Sequence, residues 1–149
     1  MITELTRKGS FQVNYSKEEV FPLLCPKIEE KWIPGWKCQV IKSQSGYNEK
    51  GAIFKTETAF NTELIWCTNE YDIETGNIDF ILFAKDKYVF RFNIKVVQNA
   101  PNSSELTFTH SFSSLSNEGS ALIEAYKNED FQGRLNTLGM LIETYLKTN

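Results

Sequence analysis

The sequence predicts an α+β fold: a curved, seven-stranded antiparallel sheet around one long C-terminal helix, with two short helices after the first strand. Three patterns predict it. Apolar and polar residues alternate over positions 9–15 and again in six segments between positions 36 and 114, the period-two signature of half-buried strands. The connections between those segments are short and rich in Gly, Asn, Asp and Pro, as in an antiparallel meander. After Ser116 the apolar spacing changes to that of a helix.

The first strand is GSFQVNY, with Phe11, Val13 and Tyr15 on one face and Gln12 and Asn14 on the other. Ser16 and Glu19 then form a capping box, which starts a helix. Pro22 and Pro26 each remove a backbone donor, so that helix is short. Pro26 suits the first turn of a second short helix over Lys27–Lys31. Pro34-Gly35 turns the chain back into the sheet. The strands WKCQVIKS, GAIFKTE, TELIWCTNEYD, NIDFILF, KYVFRFNIKVV and SELTFTHSFSS follow.

The last two strands alternate most cleanly. Tyr88, Phe90, Phe92, Ile94 and Val96 face one way, and so do Leu106, Phe108, His110 and Phe112. Arg91, Asn93, Lys95 and Thr107 face the other, so one side of the sheet is covered and the other wet. In the C-terminal helix Phe131, Leu135, Leu138, Ile142 and Tyr145 step by four and three. The stretch NEGSALIEAYKNED before them keeps a looser phase, with Ile123 and Tyr126 apolar, and is expected over a less filled space. Gly139 reads as off the apolar stripe, and Gly133 as a point of close packing. Only this helix is large enough to cover the apolar face of the sheet, and the expected result is a hollow between them.

The length of 149 residues predicts a single domain over 1–149, in which about 68–70% of the unfolded chain's surface is buried. Aromatic residues make up 13%, enough to fill a core and still line a pocket. The net charge of −3, without a basic stripe, argues against nucleic acid as a partner. No apolar run is long enough for a membrane span. The start, MITELTRKGS, lacks the apolar core of a signal peptide, so a cytoplasmic location is expected. Cys25, Cys38 and Cys67 contain no C-x-x-C pair, and His110 is the single histidine. No metal site and no cofactor is expected from that set.

The element order and length resemble the START-like helix-grip superfamily, also called SRPBCC. It includes pollen-allergen-like proteins, lipid-transfer START domains and polyketide cyclase/dehydrases. LLCPKIEEKWIPGW, GAIFKTE, WCTNEYD and HSFSSLSNEGSALI resemble a bacterial subgroup of that superfamily. The resemblance covers nearly the whole chain and implies an apolar internal cavity for a small molecule. It carries no shared set of catalytic residues.

Within that frame His110 is the sharpest single residue. Strand alternation points it inward beside Phe108 and Phe112, where an imidazole needs a hydrogen-bond partner. It reads as a polar anchor or a general acid/base in an apolar pocket, or as a satisfied core histidine. Trp66, Phe80, Tyr88, Phe90, Phe92 and Phe108 are candidates for the pocket wall, with Tyr126 a second polar contact. The face of Trp66 is ambiguous, because its strand is apolar on both sides. Cys25 or Cys67 could pair with His110 as a nucleophile, but nothing local supports it. Trp32 and Trp36 read as wedges closing one end of the core, Cys38 as a small inward residue, and Asp72 as a turn former. The leading expectation is binding of an apolar or amphipathic molecule (lipid-like, polyketide-like or aromatic) between sheet and helix. An enzyme of cyclase, dehydratase or hydrolase type using His110 in the same cavity is the alternative. A protein-interaction module on the outer sheet face is the third class.

Overall fold

In the computed structural model, which describes residues 2–57 and 62–149, the seven strands form one antiparallel sheet. They are β1 (Glu4–Val13), β2 (Gln39–Lys42), β3 (Ile53–Glu57), β4 (Glu63–Asp72), β5 (Asn77–Ala84), β6 (Tyr88–Ala100) and β7 (Ser103–Ser114). Their order is β1-β7-β6-β5-β4-β3-β2. Only β1 pairs outside the meander, because the chain's first strand closes against its last. β1 begins at Glu4, well before the alternation read at positions 9–15, and its register with β7 starts at Glu4↔Ser113.

After β1 the capping box is present: the Ser16 side chain accepts from the Glu19 amide, and the Glu19 carboxylate accepts from the Ser16 amide. It starts the short helix α1 (Lys17–Val20). Pro22 then tightens the chain into a 3₁₀ turn over Phe21–Leu23, since it cannot donate the next bond. A second 3₁₀ turn, Ile28–Lys31, follows Pro26.

The C-terminal helical region is two helices, α2 (Asn117–Lys127) and α3 (Phe131–Thr148), where the sequence suggested a continuous one. The break has a local cause. Asp130 acts as N-cap, its carboxylate accepting from the Gly133 amide at 3.0 Å, and an N-cap residue is non-helical by construction. The long helix of the expected architecture is α3. It lies closest to β1, while α2 lies over β7 and β1.

The glycine assignments in α3 reverse. Gly139 is buried, and a Cβ there would come 2.8 Å from the Phe11 ring, so Gly139 is a point of close approach between α3 and β1, as is Gly9, where a Cβ would come 2.7 Å from the Leu135 side chain. A Cβ at Gly133 would instead meet its own cap, 2.2 Å from the Asp130 carboxylate. Gly139 lies four residues after Leu135 and three before Ile142, on the same buried stripe.

A bulge in β4 between Thr68 and Glu70 settles the face of Trp66. Before the bulge Leu64, Trp66 and Thr68 are buried; after it Tyr71 opposes the buried Ile78. One inserted residue switches faces and brings Tyr71 inward, while Ile65 and Cys67, before the bulge, are half-buried on the outer face, so the strand looks apolar on both sides.

Candidate functional site

One row of residues crosses five strands on the inner face. Arg7 on β1 opposes His110 on β7, His110 opposes Phe92 on β6, Phe92 opposes Phe80 on β5, and Phe80 opposes Thr68 on β4. Opposed residues share a face of a pleated sheet, so the register alone brings these five together. A parallel row behind it contains Phe112, Phe90, Leu82 and Trp66.

The rings along these rows are in contact, Phe92 edge-on to His110 and tilted against Trp66, Phe80 and Phe108. Phe92 contacts Phe80 at 5.8 Å, Trp66 at 6.1 Å, Phe108 at 5.2 Å and His110 at 4.7 Å between centroids. Every one of those partners is on the inner side. Yet Phe92, in the middle of the sheet, keeps part of its surface open, and so does His110. Phe80 and Tyr88 are only 1% exposed and back the wall, whereas Trp66, Phe90 and Phe108 are buried with a little surface remaining. Tyr126, on α2, is half-buried and shares a hydrogen bond of 3.2 Å between its hydroxyl and that of Tyr88. The eight residues expected to line a site therefore all face the same side, in two groups: Phe92, His110 and the rings around them, and the Tyr88–Tyr126 pair at the α2 end.

His110 is held by a residue the sequence reading passed over. Arg7 Nε donates to His110 Nδ1 at 3.3 Å. The guanidinium also donates from Nη1 to the Tyr126 carbonyl at 3.1 Å and to Glu129 Oε1 at 3.2 Å. Glu129 in turn accepts from Arg134 at 2.8 Å. The Arg7 side chain is 12% exposed and lies over the Phe131 ring at 4.6 Å, a cation–π contact. Continuing the β1 alternation backwards from Phe11 through Gly9 gives Arg7 and Leu5 on the inner face; that was the available signal.

The His110 ring sits among Phe90, Phe92 and Phe131, at 4.8, 4.7 and 4.8 Å. Its Nε2 is shut off from solvent and has no hydrogen-bond partner among the described residues. Burial, and then the Arg7 charge, pull its pKa from 6.5 down to about 3, so the ring is neutral at ordinary pH.

The far end of the row is a closed polar clasp. Thr68 donates to Asn48 Oδ1 at 2.6 Å, and Asn48 Nδ2 donates to the Leu24 carbonyl at 3.4 Å. Trp32 and Trp36 donate to the carbonyls of Leu23 and Pro26 at 2.9 and 2.8 Å. Trp32 is buried as a wedge, but half-buried Trp36 reaches the aromatic wall, edge-on to Trp66 at 6.1 Å. Glu29, on the second 3₁₀ turn, is partly buried, and desolvation raises its pKa to about 8.

The cysteines take no part in the row. Cys25 and Cys38 are buried free thiols; burial raises both, Cys38 to about 12. Cys67 lies between Trp66 and Thr68 on β4 and so points to the opposite face from His110. Asp72 accepts from the Glu74 amide at 3.0 Å, within the turn after β4. Among the described residues no three His, Cys, Asp or Glu side chains gather as a metal site requires, and no helix is long and apolar enough to cross a membrane. Surface grooves are found among the described residues. One of about 350 Å³ lies between Tyr15 and the Met140–Lys147 side of α3; one of about 520 Å³ lies on the outer sheet face around Lys8, Asn93 and Thr107. Neither includes Phe92 or His110.

No family model matches the chain, and no curated protein matches it. Solved structures do. Norcoclaurine synthase from Thalictrum flavum, in complex with dopamine and hydroxybenzaldehyde, superposes with a TM-score of 0.72 at 14% identity, covering 99% of this chain and 89% of that one. The Zhui aromatase/cyclase from Streptomyces sp. R1128 gives 0.69 at 10% identity, with 97% and 93% covered. A START superfamily protein from Mycobacterium smegmatis gives 0.67 at 13% identity, with 96% and 97% covered. At these identities the likeness is one of fold. The chain has the START-like helix-grip fold, a curved sheet closed by a long C-terminal helix.

Proposed function

We propose that this chain binds a small apolar or amphipathic molecule on the inner face of the sheet, under α3. One observation carries the reading. Phe92 is at the centre of the sheet, all its ring contacts are on the inner side, and it still keeps open surface. An apolar ring in that position would be fully covered if the helix and sheet packed face to face. Trp66, Phe80, Tyr88, Phe90, Phe92 and Phe108 supply an aromatic wall on one side. From α3, half-buried Phe131 meets His110 and half-buried Leu138 packs against the core. Apolar burial provides affinity at about 25 cal/mol per Å², less the cost of association, and His110 and Tyr126 set orientation. Two neighbours in fold support the reading by analogy: one is described with small aromatic molecules bound, another is an aromatase/cyclase.

The test is native mass spectrometry of the protein purified from its own host, with tryptophan fluorescence as a second readout. A co-purified mass that quenches the tryptophan emission on re-addition is expected. A protein that carries nothing and fails to bind the apolar dye anilinonaphthalene sulfonate would overturn the reading. Phe92→Ala, which enlarges the hollow, should change dye affinity more than Phe83→Ala on the outer face, where Phe83 is 43% exposed.

A further inference from the structure

The Arg7–His110 bond fixes what His110 can do. A guanidinium has five N–H groups and no acceptor, and it stays charged in proteins. When Arg7 Nε bonds to His110 Nδ1 at 3.3 Å, the nitrogen must be the acceptor and therefore carries no proton. A neutral imidazole has its one proton on the other nitrogen. The tautomer assigned by this bond is thus Nε2–H. That N–H is the one fully buried side-chain polar atom without a partner among the described residues, and it is enclosed by Phe90, Phe92 and Phe131.

We propose that His110 serves the site as a neutral hydrogen-bond donor, and that the ligand is an apolar, ring-sized molecule carrying a carbonyl-type oxygen which accepts from Nε2–H. This deepens the reading above and rests on it. The donor role follows from the inventory of lone pairs: Nδ1 spends its pair on Arg7, and Nε2 has none free while it is protonated. A general base needs a free pair, and the geometry leaves none on this ring. Arg7 is the positioning residue. It orients the ring through Nε, and its own second nitrogen is anchored by the Tyr126 carbonyl and Glu129 across the α2–α3 junction. The same positive charge opposes protonation of the ring, so the site keeps a donor without acquiring a second cation. A buried donor left without an acceptor is costly. A ligand that supplies the acceptor removes that cost, whereas an isostere lacking it does not.

A matched pair of probes separates this proposal from the binding reading: 2-acetylnaphthalene and 2-ethylnaphthalene, of nearly the same shape, titrated against Trp fluorescence. The acetyl compound should bind about ten-fold tighter. In His110→Phe the acetyl compound should lose its advantage over the ethyl compound measured on the same variant. Equal binding of both probes to the native protein overturns the donor proposal and leaves ligand binding intact; binding of neither overturns both. A second measurement needs no variant. His110 is the single histidine, so a long-range proton–nitrogen NMR spectrum of labelled protein reports one imidazole. Expected is a neutral ring with its proton on Nε2 at pH 7. A proton on Nδ1, or a charged ring, would overturn the assignment.

Discussion

The row across the sheet ends in two buried polar groups built to different specifications. At the β4 end, Thr68, Asn48 and the Leu24 carbonyl form a closed chain, and each buried polar side-chain atom there has a partner. At the β1 end, Arg7, His110, Tyr126 and Glu129 form a chain that stops at His110 Nε2. They sit on different strands of one sheet and flank the same run of aromatic rings, Phe80 and Phe92. A closed network stabilises one arrangement of the chain and asks for nothing more. An open one pays a desolvation penalty that only a further molecule can relieve. The β4 end therefore reads as a clasp between the short helices and the sheet, and the β1 end as the part of the fold with something left to bind.

The largest expected effect is on stability in acid. The unfolded chain takes up a proton at His110 near pH 6.5, while the native ring refuses it until about 3. Below pH 6.5 unfolding therefore gains a proton, and stability falls as pH falls, by about 1.4 kcal/mol per unit. At pH 4 this term reaches about 3 kcal/mol. In His110→Phe it disappears, so urea melts of the two proteins should converge or cross between pH 6.5 and 4, with the variant the more stable in acid. Parallel stability curves would show that His110 titrates normally. Arg7→Met removes the second cause of the shift and keeps the first, burial. NMR titration should then place the His110 midpoint higher than in the native protein but still below its ordinary value.

Breaking the clasp comes next. Asn48→Ala leaves the buried Thr68 hydroxyl and the Leu24 carbonyl without their partner, for a cost of about 2 kcal/mol. Thermal melts should fall by about 4–8 °C for a chain of this size, and probe affinity should stay within about two-fold. A loss of binding equal to the loss of stability would mean that the clasp is part of the site, and the contrast between the two ends would fail.

These ends were not equally legible in the sequence. Alternation along the last two strands placed Phe92, Phe108 and His110 on the inner face, and the capping box at Ser16 with Pro22 and Pro26 located the short helices. Such features depend on neighbours in sequence. Arg7 is not legible as a site residue because Arg7-Lys8 breaks the clean alternation that begins at Gly9, and an arginine on an inner face runs against the usual pattern. The partner of His110 lies 103 positions away, so only the β1–β7 register reveals it. The break before α3 was missed for a similar reason: Asp130 is an ordinary polar residue until its carboxylate is seen on the Gly133 amide. In β4 the half-buried Ile65 and Cys67 alternate with Leu64 and Trp66, so apolarity alone does not say which face Trp66 takes.

The smallest effect tests where the open network stops. Tyr88 is 1% exposed and Tyr126 half-buried, yet they share one hydroxyl–hydroxyl bond of 3.2 Å. Deleting either hydroxyl removes the same bond, but the group left behind differs. In Tyr126→Phe the buried Tyr88 hydroxyl is orphaned, for about 1 kcal/mol. In Tyr88→Phe the Tyr126 hydroxyl turns to water, for less than about 0.5 kcal/mol. Melts of the two variants should therefore differ, with Tyr126→Phe the less stable. The same order should hold for probe affinity if Tyr126 orients the ligand. Equal losses would place both hydroxyls in solvent contact, and the boundary of the buried network would then lie at Arg7 rather than at the tyrosine pair.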